Sequence, residues 1–128
     1  MRDNYEGMPE IISASERDGQ YFGVVGIEKN GRHKKVRFGI SYSGYKALKR
    51  ILQLRPFDTM PGLEHSYFYA GSISKTNQTE IYKISVRVEQ GKDSKNIEAE
   101  APRDLVANLQ WFYEMRDLKD AGHLPEEA

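Results

Sequence analysis

Residues 21–28, Tyr-Phe-Gly-Val-Val-Gly-Ile-Glu, are rich in β-branched and aromatic side chains and predict a strand. Lys29-Asn30-Gly31-Arg32 follows, and Asn-Gly tolerates the positive φ angles of a tight hairpin turn. The return strand alternates, with Val36, Phe38 and Ile40 on one face and Lys35, Arg37 and Gly39 on the other. An earlier strand, Glu10 to Ser15, pairs with this hairpin through a turn at Asp18-Gly19. The period then changes from two to about 3.6. Ser43 is placed to cap a helix whose inner face carries Tyr45, Leu48, Ile51 and Leu52, while Lys46, Lys49 and Gln53 point away. Pro56 stops it, because the residue before a proline resists helical geometry.

The plan repeats. Tyr82, Ile84, Val86 and Val88 alternate with Lys83, Ser85, Arg87 and Glu89, and a Gln90-Gly91 turn leads to Ile97, Ala99 and Ala101 alternating with Glu98 and Glu100. Pro102 suits the first position of a second helix, Leu105, Leu109, Phe112 and Tyr113 form its apolar stripe, and Gly122 can close it. A shift of about 61 residues lays Val36 on Ile97, Leu48 on Leu109 and Ile51 on Phe112. The expected fold is therefore α+β: a two-layer sandwich in which an antiparallel sheet of about six strands carries two helices on one face. It is built from two tandem β-β-β-α halves, residues 9–56 and 65–122, with a tail at 123–128, all in one domain. The other sheet face would keep Lys35, Arg37, Lys83, Arg87, Glu98 and Glu100 in water, paired across strands.

Composition removes several classes of function. The 128 residues contain no cysteine, which excludes disulfides and cysteine-based zinc sites. No apolar run follows the N-terminus and none reaches the ~20 residues of a membrane span, so a cytoplasmic protein without a membrane partner is expected. The net charge is zero but unevenly spread: −4 over residues 1–28, +9 over 29–57 with no acid at all, and −5 beyond. Such a basic block is either a solvated strand and helix face or a contact for nucleic acid or an acidic protein.

Candidate chemistry is sparse. His33, His65 and His123 are not spaced to aim two ligands at one metal, and no phosphate-binding glycine loop or nucleophile elbow is present, so no metal, cofactor or catalytic residue is expected. Two features favour binding. Trp111, Met115 and Leu118 share a side of the second helix that its core stripe leaves unused; it is either an interface or cover for the chain's own tail. Tyr67-Phe68-Tyr69 must point to both sheet faces, so Tyr67 and Tyr69, with Lys35 and Arg37, form either a stacking platform for single-stranded nucleic acid or a cover for the outer face.

Arg17-Asp18-Gly19-Gln20-Tyr21-Phe22-Gly23 is similar to an early Arg-x-Gly-Gly-Phe-x-Gly turn, with one residue more and Gln20 in place of a glycine. Leu48-x-x-Ile51-Leu52-x-Leu54-x-x-Phe57-Asp58-x-Met60-Pro61, then Tyr82-x-Ile84-x-Val86, then Ala101-Pro102-x-x-Leu105-x-x-x-Leu109 continue the likeness. Over most of residues 11–113 the chain thus resembles the emfourin family, small α+β inhibitors of thermolysin-like metalloproteases, and related bacterial domains. The resemblance implies a partner protease that brings its own zinc, and loops, here Asp18-Gly19-Gln20 and Phe57 to Glu64, laid over its cleft. The expectation is a non-catalytic protein-binding domain, a protease inhibitor or immunity-like antagonist, using Asp18, Gly19 and Gln20 or the Trp111 surface to hold another protein or a second copy of itself. The alternative is nucleic-acid binding through the basic segment 29–55 with Lys35, Arg37, Tyr67 and Tyr69.

Overall fold

The computed structural model describes residues 8–29, 31–54, 56–57 and 66–114. Three strands, β1 (Glu10–Arg17), β2 (Gln20–Lys29) and β3 (Arg32–Ile40), lead into helix α1 (Tyr42–Leu52). Three more, β4 (Ser66–Lys75), β5 (Ile81–Gln90) and β6 (Asp93–Pro102), lead into α2 (Arg103–Glu114). The six strands form one antiparallel sheet in the order β3-β2-β1-β4-β5-β6, so two three-stranded meanders meet at β1 and β4. The fold is α+β, and the strand and turn positions agree with the alternation of the sequence. The β1–β2 turn is tight because Asp18 and Gly19 both adopt positive φ, 53° and 78°.

The strand register defines the core face. Ile11 stands opposite Val25 and Phe68, Val25 opposite Val36, Phe68 opposite Val88, and Ala70 opposite Val86. All are buried in one cluster with Phe38 and Ile84, joined by Ala47, Leu48 and Ile51 of α1 and Leu105, Val106, Leu109 and Phe112 of α2. The sheet is not flat. Helix α1 touches β1, β2, β3 and the far edge strand β6, without comparable contact to β4 or β5. Five strand spacings would separate the edges by about 24 Å in a flat sheet, twice the width of a helix. The sheet must therefore curl. Irregularities between Ile11 and Ser13 in β1 and between Ala70 and Ile73 in β4 supply the bend, since an extra residue in one strand sharpens its twist.

Four local expectations are corrected. Ser41, not Ser43, caps α1: its hydroxyl accepts from the Gly44 N–H at 3.1 Å. The buried face of α1 is Gly44, Ala47, Leu48 and Ile51, with Tyr45 turned to its margin; the helix approaches closely at Gly44, where a Cβ would stand 3.3 Å from Ile40 and 3.4 Å from the Asp104 carboxylate. Pro102 closes β6 and α2 begins at Arg103, whose N–H donates to the Glu80 carbonyl at 3.1 Å. Tyr113 is 48% exposed and does not extend the core stripe: Phe112, one position earlier, fills the core, and Tyr113 lies about 100° round the helix from it.

The face opposite the core is not simply a wet, charged one. Val24 and Tyr69 are buried but stand outside the core cluster, opposite Arg37 and Arg87. Lys83 pairs with Glu98 across β5 and β6 at 3.8 Å, as expected, whereas Arg87 pairs within its own strand, with Glu89 at 3.9 Å.

Candidate functional site: a tyrosine–lysine surface beside the first turn

The β2–β3 register sets Tyr21 opposite Ile40, the last residue before the Ser41 cap. The chain reverses there, so the first turn of α1 comes to lie beside Tyr21. Tyr42 and Tyr45, three residues apart on that turn, sit with their rings 5.2 Å and 4.9 Å from the Tyr21 ring and 6.3 Å from each other. One helical turn further, Lys46 places its ammonium 4.7 Å over the Tyr42 ring and Lys49 lies 5.4 Å over Tyr45. These are i, i+4 pairs on one helix, and a cation above a ring face is attracted by the ring's quadrupole. Tyr42 is 54% exposed, and both lysines face solvent.

Adjoining this cluster is an open depression of about 550 Å³ lined by Gly19, Gln20, Tyr21, Phe22, Gly39, Ile40, Ser41 and Asp104. The β1–β2 turn thus supplies one wall and the entry to α1 the other. Asp104 reaches across from α2 and accepts a 2.7 Å hydrogen bond from the Ser41 N–H, tying the start of one helix to the start of the other. Gly39 opens the outer wall: a Cβ there would meet nothing within 4 Å.

Tyr21 loses its proton less readily than an ordinary tyrosine of pKa 10.0, through partial burial first, then Glu16 across the strand pair and the two neighbouring tyrosines. The folded state therefore holds this proton to higher pH than the unfolded chain does. Unfolding therefore releases this proton once the pH passes 10.0, so stability falls from there until Tyr21 of the folded protein itself titrates, and no further beyond that point. Ultraviolet phenolate titration of the protein and of Tyr21→Phe should assign Tyr21 a midpoint above 10.0. A midpoint at or below that value would contradict this arrangement.

The structure unites some of the residues singled out in the sequence and separates others. Gly19 and Gln20 line the depression, with Asp18 at the tip of the same turn. Trp111 is 37% exposed on α2 and meets Phe112 edge-on at 5.5 Å. Met115 and Leu118 lie outside the described residues, as do His65, His123, Gly122 and most of Phe57 to Glu64. Lys35 and Arg37 are on β3, three strands from Tyr67 and Tyr69 on β4, a gap of about 14 Å. Tyr69, at 3% exposure, has no open ring face for a base, which corrects the expectation of a stacking platform at that residue; Tyr67 is half-buried. Arg37 lays its guanidinium 4.7 Å over Phe22 rather than presenting it outward.

The tyrosine cluster itself was missed by reading Tyr45 as core and Lys46 and Lys49 as solvated. Its signal was present in the spacing Tyr42-x-x-Tyr45-Lys46-x-x-Lys49. Among the described residues no three His, Asp or Glu side chains converge to hold a metal ion, and no helix is long and apolar enough to cross a membrane. No family model, curated protein or solved structure matches this chain.

Proposed function

We propose that this chain is a non-catalytic protein-binding domain whose contact surface is the Tyr21, Tyr42 and Tyr45 cluster together with the Asp18-Gly19-Gln20 turn. The observation that carries this reading is the grouping of three tyrosines at the surface with Tyr42 more than half exposed. Tyrosine offers large, rigid contact area with a polar tip and loses little conformational entropy when held, which is why protein interfaces are enriched in it. The surface has a further advantage over Trp111 in the depression beside it, which can take a partner's side chain. A thermolysin-like metalloprotease is the specific partner that the resemblance names, and the turn that carries part of that resemblance is one wall of the depression. The same reading treats the repeated β-β-β-α order as two tandem halves of one domain with both helices over one sheet face, supported by the single cluster that the two helices share with the sheet.

The test is capture by the immobilised domain after nuclease treatment, run beside a Tyr42→Ala/Tyr45→Ala variant. A protein retained by the parent and lost by the variant is the expected result, with inhibition of a thermolysin-like protease assayed in parallel. Capture that disappears with nuclease, or that the double variant retains in full, would overturn the reading.

A further inference from the structure

The charge of the tyrosine surface narrows what it can hold. Helix α1 contains no acidic residue; its first turn has none, and its last turn carries Lys49 and Arg50. No acid occurs anywhere from residue 29 to residue 57. Among the described residues no carboxylate pairs with Lys46 or Lys49, whose ammonium groups lie against tyrosine rings with their remaining donors open to water. Three negative groups stand near. Glu16 lies across from Tyr21, Asp18 sits at the turn tip, and Asp104 lines the depression with one oxygen already bound to the Ser41 N–H. The surface is therefore divided. Its helix side is cationic and rich in donors, while the depression has apolar walls from Tyr21, Phe22 and Ile40 and a carboxylate at its margin.

We infer that the occupant is an acidic peptide segment of the partner protein, its carboxylates reaching Lys46 and Lys49 while one apolar side chain enters the depression between Gly19 and Ile40. This rests on the protein-binding reading and specifies its partner. Lysine ammonium and tyrosine hydroxyl groups all donate to carboxylates, so the donors at the rim match an acceptor-only ligand. Tyr21 keeps its hydroxyl proton well into the alkaline range, which preserves that donor. A single-stranded nucleic acid fits the arrangement less well. Its bases need free ring faces, yet the three rings pack on one another at 26–46°, Tyr42 and Tyr45 carry lysines above them, and phosphates would meet Asp104 in the depression.

The experiment selects peptides from a random display library on the immobilised domain, with K46E/K49E as the comparison and oligo(dT) measured separately by fluorescence anisotropy. Selected peptides should carry acids flanking one apolar residue. A synthetic copy of the best should lose about tenfold or more of its affinity for K46E/K49E, weaken as salt is added, and shift the Tyr21, Tyr42 and Tyr45 ring resonances. Both lysines are exposed, so the variant should stay folded with only a small drop in melting temperature from the lost ring contacts and the reversed charge at the helix end, and a thermal melt separates lost binding from lost folding. Neutral or basic selected peptides, equal affinity for K46E/K49E, no selection at all, or oligo(dT) binding in place of peptide would each overturn the inference. A captured protein that depends on Tyr42 and Tyr45 but not on Lys46 and Lys49 would sink the acidic segment alone and leave the protein-binding reading standing.

Discussion

Phe112→Ala should lower the unfolding free energy by about 3–5 kcal/mol, measured by urea or guanidinium denaturation at neutral pH. The ring is completely buried, lies 5.4 Å from Phe38 at a 60° tilt, and belongs to the cluster that includes both helices and the sheet. Truncation removes both the favourable transfer of the ring out of water and its contacts, and the cavity can collapse only if the last turns of α2 move. The partner ring is on β3, an edge strand of the sheet, so Phe112 fastens α2 to a strand far earlier in the chain. The denaturation slope should stay unchanged if the protein still unfolds as one cooperative unit. A loss under about 1 kcal/mol would mean that α2 is only loosely docked.

Gly23→Ala should destabilise by about 1–3 kcal/mol, although it adds a single methyl group. That Cβ would stand 2.7 Å from the Leu48 Cδ1 and 2.7 Å from the Phe38 Cζ, closer than carbon atoms can approach. Leu48 and Phe38 are themselves buried, so neither can swing into solvent to make room. Gly23 exists to let α1 approach β2 and β3. The control is Gly39→Ala, the neighbouring glycine on the register-paired strand, whose Cβ would meet nothing within 4 Å. It should change stability by no more than about 0.5 kcal/mol. Equal effects from the two substitutions would show that backbone freedom, not packing at Gly23, sets the cost. Since Gly39 also lines the depression, its alanine variant offers a mild probe of binding with the fold intact.

Much of the fold was legible because its signals are local. Strand alternation at Val36, Phe38, Ile84, Val86 and Val88 depends only on neighbours two residues away, and every one of those side chains is buried in the core. The Asp18-Gly19 turn followed from backbone sterics alone. Helix boundaries were less legible. Ser41 and Ser43 are equally good caps in isolation, and the choice fell to Ser41, whose N–H is held by Asp104, 63 residues further on. The α1 face rotated toward Gly44 and Ala47 for the same kind of reason: how closely a helix approaches depends on what stands opposite.

The candidate site divides along the same line. Its helix half, Tyr42, Tyr45, Lys46 and Lys49, is a pattern of i, i+3 and i, i+4 neighbours that the chain carries by itself. Its basic character and the turn at Asp18-Gly19-Gln20 are likewise intrinsic. Only the folded sheet could bring Tyr21 to those rings, because the β2–β3 register that places it opposite Ile40 is a pairing between strands. Only packing of the start of α2 against the start of α1 could carry Asp104 to the same spot, and only sheet burial could withdraw Tyr69 from the outer surface. Periodicity assigns a residue to a face of its own element. Which elements then meet, and which side chains they cover, is decided by contacts between residues far apart in the chain, whose energies no local window contains.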